Sequence, residues 1–209
     1  MFGCFALSNK LIHALVGNKQ NGYRAAVWNC ARGLILSDCS TSDKFTDIKL
    51  YLQKHQLDLF GILECDLHSQ ESPINRKSKL TTVELKEILN IEGYKLILPQ
   101  SWQLLGQARI MLYVKESMNV NVIKLAVSDG DLPSISVEVA KSKEKKTNFN
   151  FFYREFTGLN GYSDNDAQRD RLERQVNHWK QISRSGRDVV LLGDSNLCAT
   201  QWTEESYQI

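Results

Sequence analysis

The run "LDLFGILE" at residues 57–64 places the tightest limit on the fold. It is almost continuously apolar, yet too short for a buried helix. Its length suits a strand covered on both faces. Such a strand lies inside a sheet with other layers packed above and below it, so the rest of the chain has to supply those layers.

The other segments can do so. "YRAAVW" reads as a strand that opens into a polar turn at Asn29. In "SDKFTDIKLYLQKH", Phe45, Ile48 and Leu52 recur three and four apart, which predicts one apolar helical face with Ser42 or Asp43 as N-cap. Residues 65–80 are polar, contain Pro73 and read as a loop. "TTVELKEILN" predicts a short helix, with Thr81 and Glu84 spaced as a capping box. "YKLILPQ", "ARIMLYVKE" and "VNVIKLAV" are strand-like. "SISVEVA" alternates, placing Ile135, Val137 and Val139 on one face. After a charged hairpin, "KSKEKK", the strand "NFNFFYREF" puts Phe149, Phe151 and Tyr153 on one face. Residues 164–185 predict the longest helix, striped by Leu172, Val176, Trp179 and Ile182 and stopped at Gly186. "DVVLLGD" is the last strand, and residues 1–22 read as an N-terminal arm or short helix before a domain over 23–209. Short turns between the mid-chain strands argue for antiparallel pairing. The expected class is α/β (α+β): mixed sheets packed as a sandwich with helices outside.

Composition mainly excludes. A net charge of +2 gives no whole-molecule field, so any affinity for nucleic acid must come from a local patch. The five cysteines are scattered without a CxxC pair, which argues against a zinc knuckle and for reduced thiols. The apolar N-terminal stretch is broken at Ser8, Asn9 and Lys10, so neither a signal peptide nor a membrane span is expected. The expected location is intracellular, nuclear or cytoplasmic, with no membrane partner. There is no GxGxxG and no GxxxxGK[ST] phosphate loop.

Several apolar runs end in oxygen-bearing side chains. Asn29 follows "AAVW", Glu64 follows "LFGIL", Tyr153 follows "NFNFF", and Asp194 and Asn196 follow "VVLLG". A rigid sheet rim is a good place to build a site. A hard divalent cation needs oxygen ligands and usually takes one or two carboxylates, so Glu64 is the candidate metal ligand. Asp194 is placed to orient or deprotonate a water. Asn29 and Asn196 add hydrogen bonds without charge, which suits a site that receives phosphate. Any one of these residues is equally at home as a turn former; their number carries the case.

Together, "VWNCARG", "LDLFGILECD", "FFYREF" and "VVLLGDSN" resemble, in order and spacing, the motifs of the endonuclease/exonuclease/phosphatase superfamily. Glu64 falls on its metal-binding glutamate, and residues 193–196 match its G-D-x-N motif. The finer wording "YREFTG", "GDSNLC" and "ATQW" is most similar to the endonuclease domains of non-LTR retrotransposons. The resemblance implies a four-layered α/β sandwich and Mg²⁺-dependent (or Mn²⁺-dependent) cleavage of DNA phosphodiesters. Glu64 and Asn29 would lie at the metal. Asp194 and Asn196 would position the attacking water, and Tyr153 would hydrogen-bond the phosphate. It also implies continuation into a reverse transcriptase.

One element of that pattern is not found. The superfamily's late Ser-Asp-His motif does not follow Asn196, which implies that the closing C-terminal strands are missing. A catalytically inactive remnant is therefore one alternative. A phosphatase or phosphodiesterase of the same superfamily is another, although no basic cluster for a phosphate-rich substrate is evident. Secondary candidates for substrate contact are Arg154, His68, Arg109 and Trp102, the last as a base-stacking surface or as packing.

Overall fold

The computed structural model describes residues 22–70, 79–140, 146–154, 166–184 and 187–195, with the backbone of 5–7 and 10–16. Among these residues ten strands form two mixed sheets. The first sheet holds β1 (Phe5–Leu7), β2 (Lys10–Val16), β3 (Arg24–Asn29), β4 (Leu59–His68), β5 (Tyr94–Ile97) and β6 (Gln107–Lys115), in the order β1-β2-β3-β4-β6-β5. Its β3–β4 pair is parallel and its other pairs are antiparallel. The second sheet holds β7 (Val120–Ile123), β8 (Ser134–Ala140), β9 (Lys146–Tyr153) and β10 (Asp188–Asp194), in the order β10-β9-β8-β7. Here β10 runs parallel to β9 and the other pairs are antiparallel.

The two-residue period of the strands sorts side chains into layers. Ala25 and Val27 of β3, Leu59 and Leu63 of β4, and Ile110 and Leu112 of β6 face the second sheet. There they meet Ile135, Val137, Phe149, Phe151 and Tyr153. The alternate residues Ala26, Trp28, Phe60, Ile62, Met111 and Tyr113 face outward. That outer face is covered by α1 (Asp43–His55), α2 (Thr82–Ile88) and α3 (Gln100–Leu105), through Phe45, Ile48 and Leu52 of α1, Leu85 of α2 and Trp102 of α3. Both expected strand-face triplets and the α1 stripe are buried. The Thr81–Glu84 capping box is formed.

Gly61 explains the glycine in "LFGILE". A Cβ there would lie 2.6 Å from Phe151 Cδ1 and 3.1 Å from Val27 Cγ1, so its absence lets Phe151 of the opposite sheet press onto the backbone of β4.

The longest helix, α4 (Asp166–Ser183), packs on the outer face of the second sheet with part of its apolar stripe, Trp179 and Ile182, and with polar residues beside it. Gln175, His178 and Ile182 are its buried residues, while Leu172, Val176 and Trp179 are half-buried. The cause lies in the sheet, whose outer face presents Ser134, Ser136, Asn148 and Asn150. His178 Nε2 lies 2.7 Å from Ser136 Oγ, Trp179 Nε1 donates to Asn150 Oδ1 at 2.7 Å, and Asn150 Nδ2 donates to both serines. A polar sheet face brings polar residues of the helix in beside its apolar ones, because buried polar groups have to be hydrogen-bonded.

Three segments depart from the sequence reading. Phe5–Leu7 and Lys10–Val16 are strands, not an arm or short helix. β2 pairs with β3 and satisfies an edge whose backbone groups would otherwise lack partners. The strand "LFGILE" continues to His68 through a bulge instead of ending in a loop at residue 65. The residues "QSWQLL" form α3, a helix too short to show a period. The expected hairpin at 141–146 lies outside the described residues apart from Lys146, which ion-pairs with Glu138 at 2.8 Å. No helix among the described residues is long and apolar enough to cross a membrane.

Candidate active site

The site forms where β3 and β4 of one sheet and β9 and β10 of the other end on the same rim. Asn29, the last residue of β3, joins them. Its Oδ1 accepts the Ala31 N–H at 3.0 Å, an Asx-type turn that fixes which way the amide faces. Nδ2 is thereby aimed at two carboxylates, Glu64 Oε1 at 2.9 Å and Asp194 Oδ2 at 3.2 Å. One neutral donor thus brings together carboxylates carried by different sheets.

Glu64 reaches this position through the bulge. The β4–β6 register shifts between Leu63 and Leu67, and Glu64 (φ +53°) and Asp66 (φ +49°) adopt left-handed backbone. Ala31 (φ +48°) and Arg32 (φ +66°) do the same on the facing loop, which is tied to β4 by Cys30 N–H to Leu63 O at 3.0 Å and Arg32 N–H to Glu64 O at 2.8 Å. Such backbone costs roughly 1–3 kcal/mol per non-glycine residue and persists only where the surroundings over-determine it. Bulges of this kind re-aim side chains beside active sites.

Asp194 is set by β10. It lies opposite Tyr153 in the parallel pairing, and its carbonyl accepts the Arg154 N–H at 2.8 Å. Gly193 makes that pairing close: a Cβ there would run into the Phe152 carbonyl oxygen and ring. The glycine of "GDSN" is thus required by the contact between strands.

Tyr153 is buried, and its hydroxyl hydrogen-bonds Glu64. Burial first, then the Glu64 hydrogen bond and charge, push its pKa up to about 12, with Arg109 opposing. The phenol stays protonated at neutral pH and is available as a donor. The Arg109 guanidinium lies 5.4 Å from the Tyr153 ring centroid, in cation–π range, and its Nη2 is 3.5 Å from the hydroxyl.

Asp66 anchors a basic group beside these residues. Arg109 Nη1 lies 3.1 Å from it, Arg32 Nε 3.4 Å and His68 Nε2 3.6 Å. Arg32 and Asp66 were not among the sequence candidates. The available signal was "ECD": in an extended strand, Glu64 and Asp66 share a face. This group also corrects the expectation that no basic cluster lies near the cleft.

Of the sequence candidates, Asn29, Glu64, Tyr153 and Asp194 are brought together, with Arg109 and His68 next to them through Asp66. Arg154 follows Tyr153 on the opposite strand face, and its Nη1 donates to Ser195 O at 3.3 Å. Trp102 is not brought to the site. It is 7% exposed on α3, packed into the outer core of the first sheet, so its ring is not a stacking surface there. Asn196 lies outside the described residues.

The donor set fits a hard cation. Glu64 and Asp194 offer carboxylate oxygens, with neither thiolate nor imidazole between them. Mg²⁺ typically takes only one or two protein carboxylates and completes its shell with water and phosphate. Among the described residues, no group of three or more His, Cys, Asp or Glu is gathered into an all-protein cage.

No protein-family model matches the chain, and no curated protein matches it. Solved structures do. A humanized D. rerio TDP2 carrying 14 mutations aligns at 16% identity and a TM-score of 0.52, over 92% of this chain and 69% of that one. The human Nocturnin catalytic domain with bound sulfate aligns at 14% identity and 0.51, over 96% and 71%. An AP endonuclease from Archaeoglobus fulgidus aligns at 15% identity and 0.51, over 84% and 58%. At these identities the likeness is one of fold, an α/β sandwich of two mixed sheets with helices outside.

Proposed function

We propose that this chain is a divalent-metal-dependent hydrolase of DNA phosphodiesters, of the type found in non-LTR retrotransposons. The observation that carries the reading is the Asn29 amide, held in one orientation by Ala31 and shared by Glu64 and Asp194 from different sheets. The sandwich it sits on is one whose solved examples include an AP endonuclease.

Glu64, with Asn29 beside it, would hold Mg²⁺ or Mn²⁺, and the ion would neutralise charge building on the phosphate and leaving oxygen. The other roles belong to the chain. Asp194 accepts a hydrogen bond from the attacking water and takes its proton. Asn29 keeps the two carboxylates in register. Tyr153, protonated across the neutral range, turns its one O–H from Glu64 to a phosphate oxygen when substrate binds. Arg109, held by Asp66 on one side and the Tyr153 ring on the other, adds positive charge facing the phosphate. Asn196 would assist Asp194.

The retrotransposon assignment rests on "YREFTG", "GDSNLC" and "ATQW", and carries with it continuation into a reverse transcriptase and an intracellular location. Residues 23–209 would form the hydrolase domain. The Arg32–Arg109–His68 group around Asp66 favours a second reading, a phosphomonoesterase. Supercoiled plasmid and p-nitrophenyl phosphate, each with and without Mg²⁺, separate the two. Nicking without monoester hydrolysis supports the first reading, and the reverse pattern replaces it with the second.

A further inference from the structure

A cleft of about 120 Å³ lies between α4 and the ends of β9 and β10. It shares Tyr153 with the candidate active site, and Ser195, the residue after Asp194, lines it too. Arg154 and Arg171 supply positive charge. The acid on its rim, Asp131, is already engaged by Arg174 at 2.7 Å. One wall is aromatic: Trp179 and Phe152 meet edge to face with centroids 4.8 Å apart, and the Trp179 indole is fixed by its 2.7 Å bond to Asn150.

Gln175 on α4 also lines the cleft. It is 7% exposed, and its buried Nε2 has no hydrogen-bond partner among the described residues. A buried amide donor without an acceptor is costly, and native proteins rarely keep one. The amide does not share in the polar network made by its neighbours His178 and Trp179. A ligand carrying an acceptor would complete it.

We propose that this cleft is a nucleobase subsite for the nucleotide flanking the scissile phosphate, a reading that rests on the hydrolase assignment. The planar base lies against the Trp179–Phe152 wall, where π-faces stack with any base. A ring nitrogen or carbonyl on its edge accepts from Gln175 Nε2. Arg154 and Arg171 face the phosphate on the side toward Tyr153 and Ser195.

The test is an equilibrium titration of the 209-residue chain, in EDTA, with the four deoxynucleoside 5′-monophosphates and with 2-deoxyribose 5-phosphate. At least one nucleotide should bind about tenfold tighter than the base-free sugar phosphate. Gln175→Met should abolish that preference. It should also leave the melting temperature unchanged or raised, because the variant removes an unsatisfied donor. Arg171→Ala, a half-exposed position, should weaken nucleotide and sugar phosphate alike and serves if Gln175→Met fails to fold. Equal binding of all five ligands overturns the subsite, as does a base preference that survives in Gln175→Met. An Arg171→Ala variant that binds both ligand classes as tightly as the parent also overturns it. A parallel plasmid-nicking assay in Mg²⁺ separates the two readings. Nicking without base preference removes the subsite alone, and base preference without nicking removes the hydrolase assignment.

Discussion

Replacing Gly193 with alanine probes the junction that delivers Asp194. A Cβ at this position falls on the Phe152 carbonyl oxygen and lies 2.6 and 2.7 Å from Cδ1 and Cγ of its ring, inside the 3.0 Å limit that Cβ contacts essentially never breach. The obstructing carbonyl belongs to the backbone of β9 and cannot rotate away as a side chain would. β10 must therefore slide or tilt by several tenths of an ångström or more. Overpacking of this kind costs about 1–3 kcal/mol, and the rigid obstacle argues for the upper end. For a chain of this size that lowers the melting temperature by roughly 6–12 °C. Asp194 is the next residue, so its 3.2 Å contact with Asn29 moves too. Misplacement of a reacting group by about 1 Å costs on the order of 10²-fold in rate. Thermal melts by circular dichroism and a nicking time course read both effects. A Gly193→Ala protein that melts within about 2 °C of the parent and nicks at the parent rate would refute the parallel β9–β10 contact as the device that positions Asp194.

Other outcomes follow from the same structure. Tyr153→Phe keeps the ring and removes the donor, so nicking should fall by roughly 10²-fold with little change in melting temperature. Because Tyr153 titrates near 12, any alkaline loss of activity below about pH 11 should persist in that variant. His178 is held below its usual pKa of 6.5 chiefly by burial, with Asp129 opposing. The unfolded chain therefore binds the extra proton first. The stability contribution of neutral His178 is complete above pH 6.5 and should fade as the pH drops below it, a slope that His178→Gln should flatten in melts taken across pH. Burial also pushes the Cys30 thiol up to about 12, and Cys65 is fully enclosed, so iodoacetamide at pH 8 should label Cys39 and spare both until the protein unfolds.

Much of this arrangement was legible in the chain, for identifiable reasons. β8 and β10 start and stop where the alternation of "SISVEVA" and the run "DVVLLGD" say, since period and burial coincide there. Asn29, Glu64, Tyr153 and Asp194 were readable as strand-end oxygen ligands because a sheet delivers its strand ends to a common rim. What could not be read depends on contacts distant in sequence. The bulge at Glu64–Asp66 changes the phase of β4, so a strand looks like a loop from residue 65 onward. The Asp66 group is assembled from Arg32, His68 and Arg109, which share no motif. The serines and asparagines of the sheet beneath α4 bring Gln175 and His178 in beside Trp179 and Ile182, so the helix's apolar stripe found only part of its packed face. Trp102 looked equally suited to stacking and to packing, and only its burial on α3 decides between them.

The most direct measurement is the Mg²⁺-dependent nicking rate of supercoiled plasmid by the parent chain beside Glu64→Gln and Asp194→Asn. Both variants keep side-chain size while removing the charge that the Asn29 amide bridges. The parent should nick in Mg²⁺ and stop in EDTA, and each variant should be slower by about 10²–10⁴-fold with its fold intact by circular dichroism. A parent chain that never nicks, or either variant nicking at the parent rate, would contradict a catalytic centre built from Asn29, Glu64, Tyr153 and Asp194.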